Sequence, residues 1–155
     1  MNAVARPSCH HVALTVTDLE ASVEWYQGVF DIRHRVDIPH QGGVGRLLAD
    51  EDRALMIVLH AHDTNDGARF SEQTTGLDHV GLGVRTRAEL EHWEAHLEAH
   101  GVRRADVANA PLTHSPIVDA PYASVLVFRD PDNIQLELFA PAATRGEVPT
   151  SSSAG

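Results

Sequence analysis

Two histidines and one glutamate stand where their side chains could share a metal ion. His11 begins a short apolar segment that reappears, slightly changed, from His79, so the two imidazoles occupy equivalent points of an internal repeat. Glu137 lies within the strongly apolar segment Ile134–Phe139. A carboxylate is costly to bury without a partner, and a cation held jointly with two imidazoles would provide one.

The alternation of apolar residues predicts that these segments are β-strands with two different faces. In the first segment the apolar face consists of Val12, Leu14 and Val16. His11 therefore lies on the opposite face, His79 has the same parity in the repeat, and Glu137 alternates with leucines. Two imidazoles and one carboxylate with open positions form the ligand set of non-haem Fe(II) centres, which also accommodates Mn, Co, Ni or Zn.

Further candidates for chemistry lie at the ends of other predicted strands. His60 has the parity of a cavity-facing residue and could act as a general base, as a ligand if the register shifts by two, or as an ordinary rim histidine. Tyr122 and Arg129 flank a predicted strand and are candidate substrate contacts or surface residues. Four more histidines fall in connecting or edge segments, where one could line a pocket mouth: His34, His40, His62 and His114.

The elements that must position these residues form two successive βαβββ patterns. The predicted strands cover 9–16, 31–38, 44–49 and 54–60 in the first pattern, and 78–84, 102–107, 117–118, 124–129 and 134–139 in the second. One helix begins near Thr17 or Asp18, and the second begins with a Thr-x-x-Glu capping box at Thr86 and ends before Gly101. Pro39 is expected to end the second strand. The predicted fold class is α+β, with two tandem modules around a shared cavity.

The chain of 155 residues is long enough for one domain with a substantial core. We expect this domain to span 9–140, with module one at 9–62, a linker at 63–76 and module two at 77–140. A flexible N-terminus is predicted over 1–8. A disordered tail rich in Pro, Thr, Ser and Gly is predicted over 141–155.

Charge and composition argue against several classes of partner. The net charge of −10 disfavours nucleic acid, whose phosphates this surface would repel. No apolar run is long enough to cross a membrane, and the N-terminus lacks the pattern of a secretory signal. The single cysteine, Cys9, cannot form an intramolecular disulfide. We therefore expect a cytoplasmic protein whose partner is a small molecule.

Three segments resemble the vicinal oxygen chelate superfamily, which includes glyoxalases, bleomycin-resistance proteins and extradiol dioxygenases. They are similar to the family's opening strand and helix start, to the same opening in its second module, and to its closing hairpin: His10–Ser22, Leu77–Val84 and Phe128–Leu138. The resemblance covers about residues 9–140. It implies paired βαβββ modules, a divalent metal in the cavity and a substrate bound through adjacent oxygens. His11, His79 and Glu137 match three of the family's ligand positions.

The fourth ligand position of the family is where the chain departs from the resemblance. Glyoxalase-type members carry Glu there and epimerase-type members Gln, whereas the matching residue here is Val58. The resemblance therefore favours a dioxygenase-like oxidoreductase that uses Fe(II) on a catecholic or 2-oxo substrate. The Lys- and Ser-rich loop of fosfomycin-resistance enzymes is not evident.

Two alternatives remain open beside the dioxygenase. The first is a metal-free drug-binding protein of the bleomycin-resistance type, since a charge of −10 suits a cationic drug. The second is a glyoxalase- or epimerase-like lyase or isomerase with His60 as base. The family also implies a homodimer, in which the cavity forms either within one chain or between two.

Overall fold

Two mixed β-sheets and two helices make up the part of the chain that the computed structural model describes, residues 4–142. The strands of the first half are β1 Val12–Thr15, β2 Arg33–His40, β3 Gly43–Ala49 and β4 Met56–His62. Those of the second half are β5 Val80–Gly83, β6 Arg103–Arg104, β7 Thr113–His114, β8 Val118–Ala120, β9 Ala123–Arg129 and β10 Gln135–Pro141. The helices are α1 Leu19–Phe30 and α2 Arg87–Ala99. This is the predicted α+β class.

The first sheet, called sheet one below, has the strand order β1-β4-β3-β2. β1 and β4 run parallel, with Ala13 opposite Val58 and Thr15 opposite His60. β3 pairs antiparallel with both β4 and β2, and β2 contains a register shift between His34 and Val36. Helix α1 covers one side of this sheet.

The second sheet, called sheet two, repeats the central arrangement of the first and extends it. Its strand order is β5-β10-β9-β7-β6, and β8 pairs with β9. β5 and β10 run parallel, with Gly81 opposite Glu137, and β9 pairs antiparallel with β10. Helix α2 packs against β9 and β10. In both sheets the strand that opens the module therefore pairs in parallel with the strand that closes it.

Local signals in the sequence account for the ends of both helices. The Asp18 side chain accepts a hydrogen bond from the Ala21 amide at the start of α1. Thr86 does the same for the Glu89 amide of α2, and Glu89 accepts one from the Arg85 amide, so the predicted capping box is confirmed with a shift of one residue. Gly101, at a φ of 79°, follows α2 in the left-handed conformation that favours glycine. No helix in the described range is long and apolar enough to span a membrane.

Both helices and one side of each sheet share a single hydrophobic core. Its largest fully buried side chains include Tyr26 and Phe128, which come from different halves of the chain. Hydrogen bonds also join the halves: the Tyr26 hydroxyl donates to the Asp130 carboxylate at 2.9 Å, and the Thr17 amide donates to the Asp132 carboxylate at 3.1 Å. The core therefore occupies the helix-facing side of each sheet and leaves the other side uncovered.

The strand boundaries differ from the prediction in several places. Pro39 does not end β2 but lies inside it, which is tolerated because β2 is an edge strand and one side of its backbone needs no partner. The segment predicted as a strand over 102–107 forms only the two residues of β6, and β7 was not predicted. The described part of the predicted tail, residues 141–142, includes the end of β10, and the remainder lies outside the described residues.

Candidate metal centre

Glu137 occupies the middle of sheet two on the side that the helices leave uncovered. It lies opposite Gly81 of β5 and Val127 of β9. Its side chain is half-buried, while the neighbouring Leu136 and Leu138 are fully buried on the other side. Within residues 4–142 the Glu137 carboxylate takes part in no ion pair or side-chain hydrogen bond. A half-buried anion with no such protein partner is a natural metal ligand.

His79 directly precedes β5, the strand that pairs with β10 in sheet two. It lies two residues before Gly81, the residue that pairs with Glu137. Its Nδ1 atom lies 2.6 Å from an Asp78 carboxylate oxygen, which leaves Nε2 free. Metal-bound histidines commonly donate their second ring N–H to a carboxylate in this way, because the contact fixes the tautomer and the ring orientation.

His11 occupies the corresponding place in sheet one. It lies directly before β1 and is exposed, as are Ala13 and Thr15 on the same side of the strand. Its Nδ1 atom lies 3.0 Å from Nδ1 of His10, so the neighbour of its ring is another imidazole rather than a carboxylate. His11 and His79 are thus equivalent in position and differ in the group that contacts the ring.

The three predicted ligands are divided between the two sheets. His79 and Glu137 share sheet two, whereas His11 belongs to sheet one, and among the described residues these three do not form a group with all ligand atoms within 4.8 Å of one another. Each lies on the side of its sheet that faces away from the shared core. The donor set of two imidazoles and one carboxylate fits a divalent transition-metal ion in its chemistry.

The whole arrangement matches a described protein family. Residues 8–138 match the family model of the Glyoxalase/Bleomycin resistance protein/Dioxygenase superfamily. The chain belongs to this superfamily. No curated protein sequence matches it.

Solved structures of the superfamily share the fold. The glyoxylase/bleomycin resistance protein/dioxygenase domain from Frankia sp. EAN1pec is 29% identical, with a TM-score of 0.76 over 92% of this chain and 96% of that chain. A glyoxalase family protein from Enterococcus faecalis is 20% identical, with a TM-score of 0.67 over 85% and 96%. A mutant of the fosfomycin resistance protein FosX from Listeria monocytogenes, complexed with Mn(II) and 1S,2S-dihydroxypropylphosphonic acid, is 18% identical, with a TM-score of 0.56 over 86% and 91%.

The register of the sheets identifies which residue of this superfamily member stands in the place of Glu137 in the other module. Val58 pairs with Ala13, two residues after His11, as Glu137 pairs with Gly81, two residues after His79. The register between β1 and β4 therefore places Val58, and not His60, at the position equivalent to Glu137. Val58 is buried, with 3% of its surface exposed, and an aliphatic side chain offers no ligand atom.

His60 lies one strand step beyond Val58 and belongs to a group of three histidines. Its Nδ1 atom lies 3.2 Å from Nε2 of His40, and His62 completes a set whose ligand atoms all lie within 4.8 Å of one another. Burial lowers the pKa of His60 below its ordinary value, and the neighbouring imidazoles of His40, His62 and His11 lower it further. His60 therefore favours its neutral form.

Tyr122 and Arg129 occupy very different places. Tyr122 is 72% exposed in the turn between β8 and β9. Arg129 is buried, donates from Nε to the Ala108 carbonyl oxygen at 2.8 Å and forms an ion pair with Glu72 at 3.1 Å. The Arg129 side chain thus fastens the segment between the modules to sheet two.

Sequence reasoning missed the participation of His40 and His62 in a cluster, because it placed them in connecting or edge segments. A signal was available in Gly43 and Gly45, which alternate along β3 on the side that faces these rings. Glycine weakens a strand interior, so a pair at this spacing indicates a close approach from outside the strand.

Proposed function

We propose that this superfamily member is a divalent-metal-dependent enzyme whose ion is held by His11, His79 and Glu137. The observation that carries the proposal is the Glu137 carboxylate, which is half-buried and has no ion-pair or side-chain hydrogen-bond partner in residues 4–142. Its strand partner Gly81 follows His79 by two residues, and Asp78 contacts the His79 ring. Fe(II) is the preferred ion for two imidazoles and a carboxylate, with Mn, Co, Ni or Zn as alternatives.

We propose further that the site forms between two chains, with His11 from one chain and His79 and Glu137 from the other. Support comes from the division of the three ligands between two sheets whose ligand-bearing sides both face away from the core. These sides also carry exposed apolar residues, Ile38 on sheet one and Val118 on sheet two. A homodimer would cover both sides at once.

The residues around the proposed site favour an oxygen-rich substrate. A bound divalent ion would supply Lewis acidity to two adjacent substrate oxygens. The protein contributes one negative charge, from Glu137, and two neutral imidazoles, so the loaded site keeps a net positive charge that attracts an enolate or catecholate. Asp78 contacts the His79 ring, and the apolar side chains of Val58 and Val127 occupy strand positions next to those of the proposed ligands.

Among the reactions of the superfamily, we propose a dioxygenase-like activity on a catecholic or 2-oxo substrate. The support is Val58, which places no carboxylate base at the fourth position. An isomerase or lyase that uses another base, and a metal-free drug-binding protein, are the competing functions.

The test combines metal content with oxygen consumption. Protein reconstituted anaerobically with Fe(II) should retain one ion for each set of His11, His79 and Glu137. The Glu137→Ala variant should lose this ion, because only the two imidazoles of the set remain. Glu24→Ala, on the exposed side of α1, is the matched control and should retain the ion. Catecholic and 2-oxo substrates should then cause O2 consumption by the wild type and by Glu24→Ala only.

Each competing function has its own outcome. Turnover that continues unchanged without O2 would exclude the dioxygenase and favour the isomerase or lyase. Equal ligand binding by metal-free wild type and Glu137→Ala, with the same Fe(II) content in both proteins after reconstitution, would exclude the metalloenzyme and favour drug binding.

A further inference from the structure

Three histidines of sheet one converge on the side of the sheet that the helices leave uncovered. His60 stands opposite Gly45 of β3, and His62 stands opposite Gly43, which also pairs with His40 of β2. The ring centroids lie 5.2 Å apart for His40 and His60, 5.0 Å for His40 and His62, and 5.9 Å for His60 and His62. One imidazole from β2 and two from β4 thus lie close together on this side of sheet one.

The backbone of β3 is shaped to make room for these rings. A Cβ atom on Gly45 would lie 2.5 Å from Cε1 of His60, and all of its nearest neighbours would be atoms of that ring. A Cβ atom on Gly43 would overlap the Ala61 carbonyl oxygen of β4 first and would also lie 2.8 Å from Cε1 of His40. Gly45 therefore makes room for the His60 ring, whereas Gly43 is required by the close approach of the β4 backbone as well as by His40.

The chemistry of the group is that of a nitrogen-only ligand set. No carboxylate lies within 4.0 Å of the three imidazoles in the described residues; the histidine–carboxylate pairs there involve His34, His79 and His114. Nδ1 of His60 and Nε2 of His40 lie 3.2 Å apart, so these two nitrogens can share one proton. A metal ion could take the place of that proton, since neutral imidazole is the form that binds metals.

We propose that His40, His60 and His62 form a second metal site, distinct from the one at Glu137, for a divalent late transition-metal ion such as Zn(II). All three offer a ring nitrogen within 4.8 Å of the others, and imidazole ligands favour Zn, Cu, Ni and Co over Mg, Ca or Mn. Three protein ligands leave a fourth position open for water or an anionic ligand. This proposal does not depend on the proposed function, because it shares no ligand with that site.

His62 is exposed at the end of β4, so its replacement removes a ligand without disturbing the core. His60 and His40, by contrast, are partly buried. His62 is therefore the best position for a test.

The experiment uses the full chain carrying Glu137→Ala, which removes the other candidate site. Chelator-treated protein is titrated with Zn(II) by calorimetry and with Co(II) by visible absorption. We expect one ion per chain, with the intense d–d bands of a four-coordinate Co(II) site. Adding the substitution His62→Gln should weaken Zn(II) binding by about 100-fold and abolish those bands.

A matched control and a second variant make the result decisive. His92→Gln removes an exposed histidine of α2, outside the cluster, and should leave both signals unchanged. Gly45→Ala keeps all three histidines and should weaken binding by displacing His60, with circular dichroism verifying that the chain is folded. Unaltered Zn(II) affinity and Co(II) bands in the folded His62→Gln variant would overturn the proposal, as would no ion bound by the Glu137→Ala protein.

Discussion

The two modules present the same pair of parallel strands but different side chains at the centre of the pair. Val58 in sheet one and Glu137 in sheet two hold equivalent positions relative to the histidine that precedes each module's first strand. Sheet one instead carries the histidine group around His60, one step further along. The comparison teaches that the repeat preserves the backbone frame while each module supplies its own donor atoms.

The turns before the closing strands differ in the same way. Each contains an aspartate followed three residues later by a residue with positive φ, Arg53 at 57° and Asn133 at 70°. In module one, Asp50 lies at a partly exposed position, and within residues 4–142 its carboxylate accepts a bond only from the Leu55 amide, at 3.3 Å. In module two, Asp130 is fully buried and accepts bonds from two backbone amides and the Tyr26 hydroxyl. The second turn has become part of the contact between the modules.

The largest effect is expected from mixing two variants, one that lacks the proposed ligand of sheet one and one that lacks a proposed ligand of sheet two. His11→Ala and Glu137→Ala should each be inactive alone, because each lacks a proposed ligand. If the site forms between chains, mixed dimers contain one site with both ligands intact, and random mixing restores about a quarter of the wild-type activity. The measurement is turnover after the two variants are unfolded together and refolded. Activity that stays at the level of the separate variants would place all three ligands within one chain.

The pH dependence of stability should separate the two turns. Burial raises the pKa of Asp130 from 3.8 to about 7, although the hydrogen bonds from Ile134 and Tyr26 act in the opposite direction. The folded state therefore holds this proton more tightly than the unfolded state, so the contribution of Asp130 to stability is present below about pH 4 and is lost as the pH rises through 7. At about 1.4 kcal/mol per pKa unit, the loss is about 4 kcal/mol.

Asp130→Asn should remove this dependence. Between about pH 4 and pH 8 the free energy of unfolding of the variant, measured by urea denaturation of metal-free protein, should rise relative to that of the wild type. Asp50→Asn, in the corresponding turn of module one, should keep the wild-type profile because Asp130 is still present. Parallel profiles for Asp130→Asn and wild type would contradict the expectation.

A smaller effect is expected at the residues beside the two proposed histidine ligands. Asp78→Asn weakens the contact that orients His79, so metal affinity should fall by about 10–100-fold. His10→Gln, the counterpart beside His11, should change the affinity less because it removes an imidazole rather than a carboxylate. Competition with a chromogenic chelator measures both. A larger loss for His10→Gln would reverse the assigned difference between the modules.

Much of the frame could be predicted because it depends on local patterns. Strand alternation located β1, β5 and β10, and side-chain caps located both helices. The prediction that Pro39 ends β2 is wrong because a proline is tolerated in a strand at the edge of a sheet, and the surrounding sequence does not reveal that β2 is an edge strand. The strand register agrees with the equivalence of Val58 and Glu137 that the resemblance to the superfamily implies.

The parts that escaped prediction depend on long-range pairing. The histidine group requires β2, β3 and β4 to align so that His40 and His62 flank Gly43, and no local pattern specifies that register. Arg129 was considered for substrate contact, but its ion pair with Glu72 depends on the path of the segment between the modules. The division of His11 from His79 and Glu137 likewise depends on how the two halves pack.

The bonds from Tyr26 to Asp130 and from Thr17 to Asp132 have a consequence for how the chain comes apart. They fasten the first helix of one half to the last turn of the other, over a core to which both halves contribute. Separating the halves would expose that core and break both hydrogen bonds, so neither repeat can open by itself at low cost. The sequence is duplicated, but the cooperative unit of unfolding is the undivided domain.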